Sequence, residues 1–391
     1  MNRNWRLPAG MDELLPPAAW SLELLRRQVL DVFQTWGYEY IEPPMVDYLD
    51  ALLVGADADM DLQTLKVVDQ RSGRLLGVRA DLTAQAVRVD AHSLPVDGVQ
   101  RLCYAGNVIL ANPLSPLESR VPVKAGAELF GAPTLNADAE VIALMLEVLS
   151  RVGVSDPILV VGHMGIYHAL IARLALAPGP EAELFTAVQG KAETDIAALV
   201  EDPEARRMLC ELPDLMGEGE VLERARVSLA AVPAALTAID ELSRLADLLK
   251  TQTPGLRLRF DLAELVGYGY HNGPVFSAYQ ADQGRALARG GRYDGIGAGF
   301  GRSRPATGFD IGLKELVING QGSPAIWVPW SEGLTAEAAT RRSAAVAALR
   351  EAGEVVVMAL SGDDAPPPRC DRSLVAQKAD WVVENLRAMK S

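Results

Sequence analysis

The stretch LGVRADLTAQAVR, residues 76–88, changes character at Asp81. Before it, LKVVDQRSGRLLGV reads as two short strands folded about Ser72-Gly73; after it a helix begins. Asp81 stands where a helix needs a side-chain acceptor for its first amides. Working outward, residues 17–35 (PAAWSLELLRRQVLDVFQT) place Leu22, Leu25, Val29, Val32 and Phe33 at helical spacing, with Pro17 in the first turn. The following YEYIEPPMVDYLDALL begins extended, and Pro43-Pro44 would stop a helix but fits a sheet edge. Downstream, QRLCYAGNVIL and VKAGAELFG read as strands on either side of a loop, 111–122, that contains three prolines. A helix over about 137–152 and a buried strand in DPILVVGH come next. Residues from about 165 to 252 are rich in Ala, Leu and Glu without strand alternation, and so read as a helical insertion. Strands return in LRLRFDLAEL, PVFSAYQ and RALARGGRYD, and a helix beginning near DIGLKELV closes the unit. After Gly320, PAIWVPW, a helix over about 335–352 and EVVVMAL follow as the strand, helix and strand of a small α/β unit. The expected organisation is α+β: a core over 1–320 with a helical insertion, then a shortened α/β domain over 321–391.

Composition narrows the function classes. A chain of 391 residues can bury a large core, and no uncharged apolar run is long enough to cross a bilayer. MNRNWRLPAGMDELLPP has no apolar stretch, so no secretory leader is read and a cytoplasmic location is expected. Cys103, Cys210 and Cys370 are too few and too scattered for a disulfide framework or a paired-thiol zinc site. His92, His163, His168 and His271 form no ligand cluster, the middle pair falling on different sides of a helix; no metal and no cofactor are expected. With 37 basic against 51 acidic residues, a net charge of -14 disfavours a polyphosphate partner such as tRNA.

Phosphate-binding motifs fail one after another. GGRYDGIGAGFG breaks the GxGxxG spacing at Phe300 or Arg302 and reads as a close-packed strand and turn; GxxxxGK[ST] and GxSxG are absent. What holds is an ordered series: RLPAGMDELLP, LGVRADLTAQAVR, QRLCYAGNVI, VKAGAELFG, LVGYGYHNGPVF, ALARGGRYDG and ATGFDIGLKEL. In order and spacing, over roughly residues 6 to 320, it resembles the catalytic core of the histidyl-tRNA synthetases. The resemblance implies the class II aminoacyl-tRNA synthetase fold, a mixed, largely antiparallel sheet flanked by helices. It also implies a dimer formed through the N-terminal helix and the proline-containing strand.

The departures from that family fall on one half of its site. Class II synthetases hold ATP with arginines, whose planar guanidinium groups match phosphate oxygens and stack on adenine. At the matching positions this chain has Leu110 and Glu315, with Asn112 in place of an adenine-contacting glutamate and Val266 in place of an arginine that promotes the chemistry. Each lost charged contact is worth about 1.5 to 3 kcal/mol, and Glu315 would repel the triphosphate. The amino-acid half is kept better. By the same resemblance, Asp81 and Thr83 match residues that hold the substrate ammonium, and Glu128 matches the acid that contacts imidazole. Tyr268 and Tyr270 are pocket aromatics, His271 replaces a second tyrosine, Lys124 replaces a glutamine, and Arg120 matches an arginine near the loop. Glu128 lies in an otherwise apolar strand and requires a partner; Lys124 is one candidate, and a pair between them would block the pocket.

A pocket that keeps its acids and loses its phosphate arginines resembles the regulatory subunits of ATP phosphoribosyltransferase. That resemblance implies a chain with no catalytic site of its own. It would assemble with a short-form catalytic subunit in a hetero-octamer, in the first step of histidine biosynthesis, and transmit feedback inhibition by histidine. Two alternatives stay open: an active histidine-tRNA ligase with an unusual ATP site, and a tRNA- or protein-binding paralogue.

Overall fold

The computed structural model describes residues 6–55, 58–113, 118–174, 176–265, 271–281, 284–317, 323–378 and 380–386. The chain divides into two compact units, 1–13 with 22–318, and 14–21 with 319–391. Among the described residues no helix is long and apolar enough to cross a membrane.

In the first unit the strands run β1 (Glu39–Tyr40), β2 (Val46–Tyr48), β3 (Leu65–Val68), β4 (Leu75–Val78), β5 (Gln100–Asn107), β6 (Val123–Phe130), β7 (Ile158–His163), β8 (Met216–Gly217), β9 (Arg257–Asp261), β10 (Pro274–Tyr279), β11 (Ala286–Arg292) and β12 (Ala306–Gly312). Among the described residues, nine of them form one sheet in the order β1-β5-β6-β12-β11-β10-β7-β9-β8, and β2-β4-β3 form a small second sheet. The large sheet is parallel only at β1·β5 and β7·β9 and antiparallel elsewhere. Pro43 and Pro44 link β1 to β2, and their carbonyls accept from Arg79 Nη1 (2.7 Å) and Gln85 Nε2 (2.8 Å). Backbone groups that a ladder would otherwise satisfy are thus taken up by buried side chains.

One face of the sheet is covered by the helix Leu135–Arg151, whose Val141, Ile142, Leu144, Met145, Val148 and Leu149 are fully buried. The helix Pro233–Gln252 packs beside it in the same core, burying Ile239, Leu242 and Leu249. Over 165–252 the described residues form helices joined by short turns, together with a short 3-10 turn and the two-residue strand β8, which adds to the sheet edge at β9. His163 is not within a helix. It caps Met164–Ile171, its Nδ1 accepting from the Gly165 amide at 3.0 Å while Nε2 lies 3.0 Å from Glu241.

One expectation is corrected here. The helix read near DIGLKELV does not begin there: Asp310, Ile311 and Gly312 complete β12, and Lys314–Leu316 is a single 3-10 turn. β12 lies between β6 and β11, pairing with β11 as far as Ile311 and with β6 as far as Gly312. Sheet pairing therefore overrides the helical spacing of the apolar residues.

In the second unit, β13 (Ala325–Val328), β14 (Val355–Met358), β15 (Cys370–Gln377) and β16 (Asp380–Asn385) form a sheet ordered β14-β13-β15-β16, parallel except for the last pair. The helix Ala336–Glu351, capped by Thr335 Oγ1 on the Ala338 amide, buries Val346 against Ile326, Val328 and Leu374.

A desolvated ion pair ties the helix Leu135–Arg151 to the end of β11. Arg292 reaches Asp138 with Nη2 at 2.7 Å and Nε at 3.1 Å, and Asp138 has no exposed surface. Removing one partner strands the other charge, so Asp138→Ala should cost about 3–5 kcal/mol in the unfolding of this unit. Asp138→Leu combined with Arg292→Met should cost much less. Denaturant midpoints decide it, and a single variant no worse than the double would contradict the account.

Candidate functional site

Strand alternation builds the floor of a cleft of about 850 Å³. On β6, Lys124, Gly126 and Glu128 share one face. Across the β12 ladder they stand opposite Gly312, Asp310 and Gly308, and across β5 opposite Gly106, Tyr104 and Leu102. Glycine therefore sits beside the larger polar side chains in a checkerboard. A Cβ at Gly308 would overlap the Glu128 carboxyl, one at Gly312 the Glu315 carboxyl, and one at Gly126 the Tyr104 hydroxyl. The space that the glycines leave is taken by these neighbouring polar groups, which lets them lie along the cleft floor. Asp81, Thr83, Leu110, His271, Arg285 and Arg289 contribute to its walls.

Glu128 is 1% exposed. The Tyr104 hydroxyl donates to its Oε1 at 2.9 Å, the Tyr293 hydroxyl donates to its Oε2, and Thr83 Oγ1 lies 3.3 Å from the Tyr104 oxygen. Burial pushes the Glu128 pKa up to about 8, and the two tyrosine donors only partly oppose it. The carboxyl is therefore largely protonated at neutral pH, a polar group held ready in an aromatic wall. His271 closes the wall edge-on to Tyr293, ring centroids 6.2 Å apart.

Beside it lies a charged cluster. Asp81 does two things at once: Oδ1 accepts the Thr83 amide, the first of the helix Thr83–Arg88, at 2.6 Å, while Oδ2 lies 3.3 Å from Lys124 Nζ. Lys124 also lies 3.1 Å from Asp310 Oδ2. The candidate Lys124–Glu128 pair is thus replaced by two aspartates. Four residues along a strand separate side chains by about 13 Å, so Lys124 turns to partners nearer than Glu128. Burial opposes its charge, but Asp310 and Asp81 outweigh this and hold its pKa above the ordinary lysine value. Burial also opposes ionisation of Asp81, yet Lys124 and the Thr83 amide keep its pKa low. Burial, helped by the nearby Asp81 charge and resisted by Lys124, raises that of Asp310.

The positions that would face ATP look different. Leu110 is buried in the cleft wall, and Asn112 donates to the Leu62 carbonyl at 2.8 Å. Glu315 projects into the cleft, with Arg285 Nη1 no nearer than 4.0 Å. Arg120 acts on the backbone, donating to the carbonyls of Leu110 (2.9 Å) and Ala9 (3.0 Å), and so clamps the loop to the N-terminal segment. Val266, Tyr268 and Tyr270 lie outside the described residues. Tyr104, Tyr293 and Asp310 belong to the site and were not singled out from the sequence. Alternation from Glu128 points to their strands, but Tyr293 was read as part of a structural turn, and the helical reading of DIG hid Asp310.

Over residues 10–316 the chain matches the family Histidyl-tRNA synthetase, and over 323–384 the family ATP phosphoribosyltransferase subunit HisZ C-terminal domain. It is 47% identical over 393 residues to the ATP phosphoribosyltransferase regulatory subunit of Pseudomonas aeruginosa, covering 98% of each chain. This chain belongs to the ATP phosphoribosyltransferase regulatory subunit family. A family member from Teredinibacter turnerae is 46% identical over the same length and coverage. The crystal structure of an ATP phosphoribosyltransferase regulatory subunit/histidyl-tRNA synthetase from Bacillus halodurans matches with a TM-score of 0.81 at 28% identity, over 94% of this chain and 95% of that one. A histidyl-tRNA synthetase from Nostoc sp. has the same TM-score at 16% identity, over 98% and 95%, a likeness of fold alone. The class II synthetase-like fold expected from the sequence is the one observed.

The burial of Glu128 makes stability depend on pH. The native carboxyl keeps its proton to about 8, whereas the unfolded group releases it near 4.5, so stability falls as pH rises through that window. Glu128→Gln lacks the titration. Between pH 5 and 8.5 wild type should lose stability relative to this variant, by roughly 5 kcal/mol as an upper bound. Denaturant midpoints across that range test it, and a pH-independent difference would refute a buried neutral acid.

Proposed function

We propose that this chain is a regulatory subunit that activates a short-form ATP phosphoribosyltransferase catalytic subunit and carries feedback inhibition by histidine. It acts in the cytoplasm, in the first step of histidine biosynthesis, and has no catalytic site of its own. The observation that carries this reading is the asymmetry of the cleft. A hydrogen-bonded acid and aromatic set, Glu128 with Tyr104 and Tyr293, remains beside Asp81 and Thr83. Where ATP phosphates would need arginines, a buried Leu110 and the carboxylate of Glu315 line the same space. Such a cleft suits a small zwitterion with an imidazole ring and repels a triphosphate.

Regulation then follows as linkage. Histidine must bind one state of the assembly better than another, and a coupling of about 1 to 3 kcal/mol shifts activity by about 5 to 150-fold. Self-association within a hetero-octamer is supported by apolar side chains left exposed along the proline-containing edge, among them Tyr40, Met45, Val46 and Tyr48. The acidic balance of the chain argues against tRNA as a partner.

The test mixes the purified chain with a short-form catalytic subunit and follows phosphoribosyl-ATP formation with and without histidine. Activity that depends on the mixture and is suppressed by histidine is the expected result, with suppression weakened at least tenfold by Glu128→Ala. Histidine-dependent exchange of pyrophosphate into ATP by this chain alone would overturn the reading in favour of a ligase.

A further inference from the structure

The cleft contains a primary ammonium of its own. Asp81 and Asp310 each direct Oδ2 at one point, and Lys124 Nζ occupies it at 3.3 and 3.1 Å. The Asp81 carboxylate is held by the Thr83 amide at the head of a helix, and Asp310 is placed by the β12 ladder opposite Gly126. The lysine head is a point charge with three donors on a flexible stem, the same recognition group that a free amino acid presents.

A ligand ammonium entering this cleft therefore meets acceptors already taken. If it displaces Lys124, the displaced charge needs an anion in a partly buried space, and a carboxylate on the ligand can supply it. A ligand with an amine but no carboxylate would leave two cations competing for one pair of aspartates. A ligand with a carboxylate but no amine can pair with Lys124 where it stands.

We propose that Lys124 is a tethered competitor for the ligand ammonium and thereby sets the specificity of the cleft, admitting carboxylate-bearing imidazoles and rejecting those that carry an amine alone. This rests on reading the cleft as a histidine site. The residue is legible as a departure in the sequence, but its role comes from the position of its nitrogen between two carboxylates.

Calorimetric titration of the full-length chain, alone and with the catalytic subunit, uses three probes: histidine, histidinol and imidazolepropionate. Wild type should bind histidine and imidazolepropionate and bind histidinol most weakly. Lys124→Gln should tighten histidinol about tenfold or more and weaken imidazolepropionate by a similar factor. Should this variant fail to fold with two aspartates left facing each other, Lys124→Gln with Asp310→Asn removes one charge of each sign and should shift the probes in the same directions. Histidine binding to wild type, combined with histidinol binding unchanged or weakened by the substitutions, would overturn the role of Lys124 and leave the histidine reading standing. Wild type that binds none of the three, alone or in complex, would overturn both.

Discussion

A carboxyl group removed from water must find hydrogen-bond partners, and Glu128 finds two tyrosines. Much of the first unit's architecture is needed to bring them there. Tyr104 reaches Glu128 because β5 pairs with β6 in the register that sets Tyr104 against Gly126, with no side chain between. Tyr293 arrives from the other side, just past the end of β11. Gly308 on β12 leaves the volume that the carboxyl fills. A one-residue slip in either ladder would turn these side chains to the opposite face of the sheet and leave the acid without donors.

The two faces of the sheet are coupled at neighbouring residues. Arg292 turns to the helix side, where Asp138 neutralises it, and Tyr293 turns to the cleft, where Glu128 accepts its proton. The buried ion pair holds the place from which the tyrosine is presented. Such a pair adds little net stability when compared with an apolar replacement, but it is costly to break, which suits a device that holds geometry.

Electrostatically the cleft is divided. One end holds a neutral acid in an aromatic wall, the middle a lysine shared by two aspartates, and the far end a carboxylate, Glu315, where phosphate would otherwise lie. On the proposed reading, this divide would separate ligand sensing from the chemistry that an ATP site supports. Similarity of fold to a synthetase does not carry the synthetase reaction with it, because the reaction depends on a few guanidinium groups and the fold does not.

Much was legible in the sequence because it depends on local rules. Period-two and helical spacing located most strands and helices, Asp81 was placed at a helix start by its acceptor chemistry, and the replacements at Leu110, Asn112 and Glu315 were visible one residue at a time. Glu128 was marked as an acid needing a partner by its apolar flanks alone. Which partner it takes, and where Lys124 turns, was decided by the tertiary structure. Tyr104 on β5, Tyr293 just past β11 and Asp310 on β12 are spread over more than 200 residues, and only the ladder registers bring them side by side. The strand identity of Asp310 to Gly312 was decided there too, since hydrogen bonds offered by two neighbouring strands outweigh the helical preference of a short segment. Spacing along the chain specifies which face a residue takes; what it meets on that face depends on contacts between distant segments.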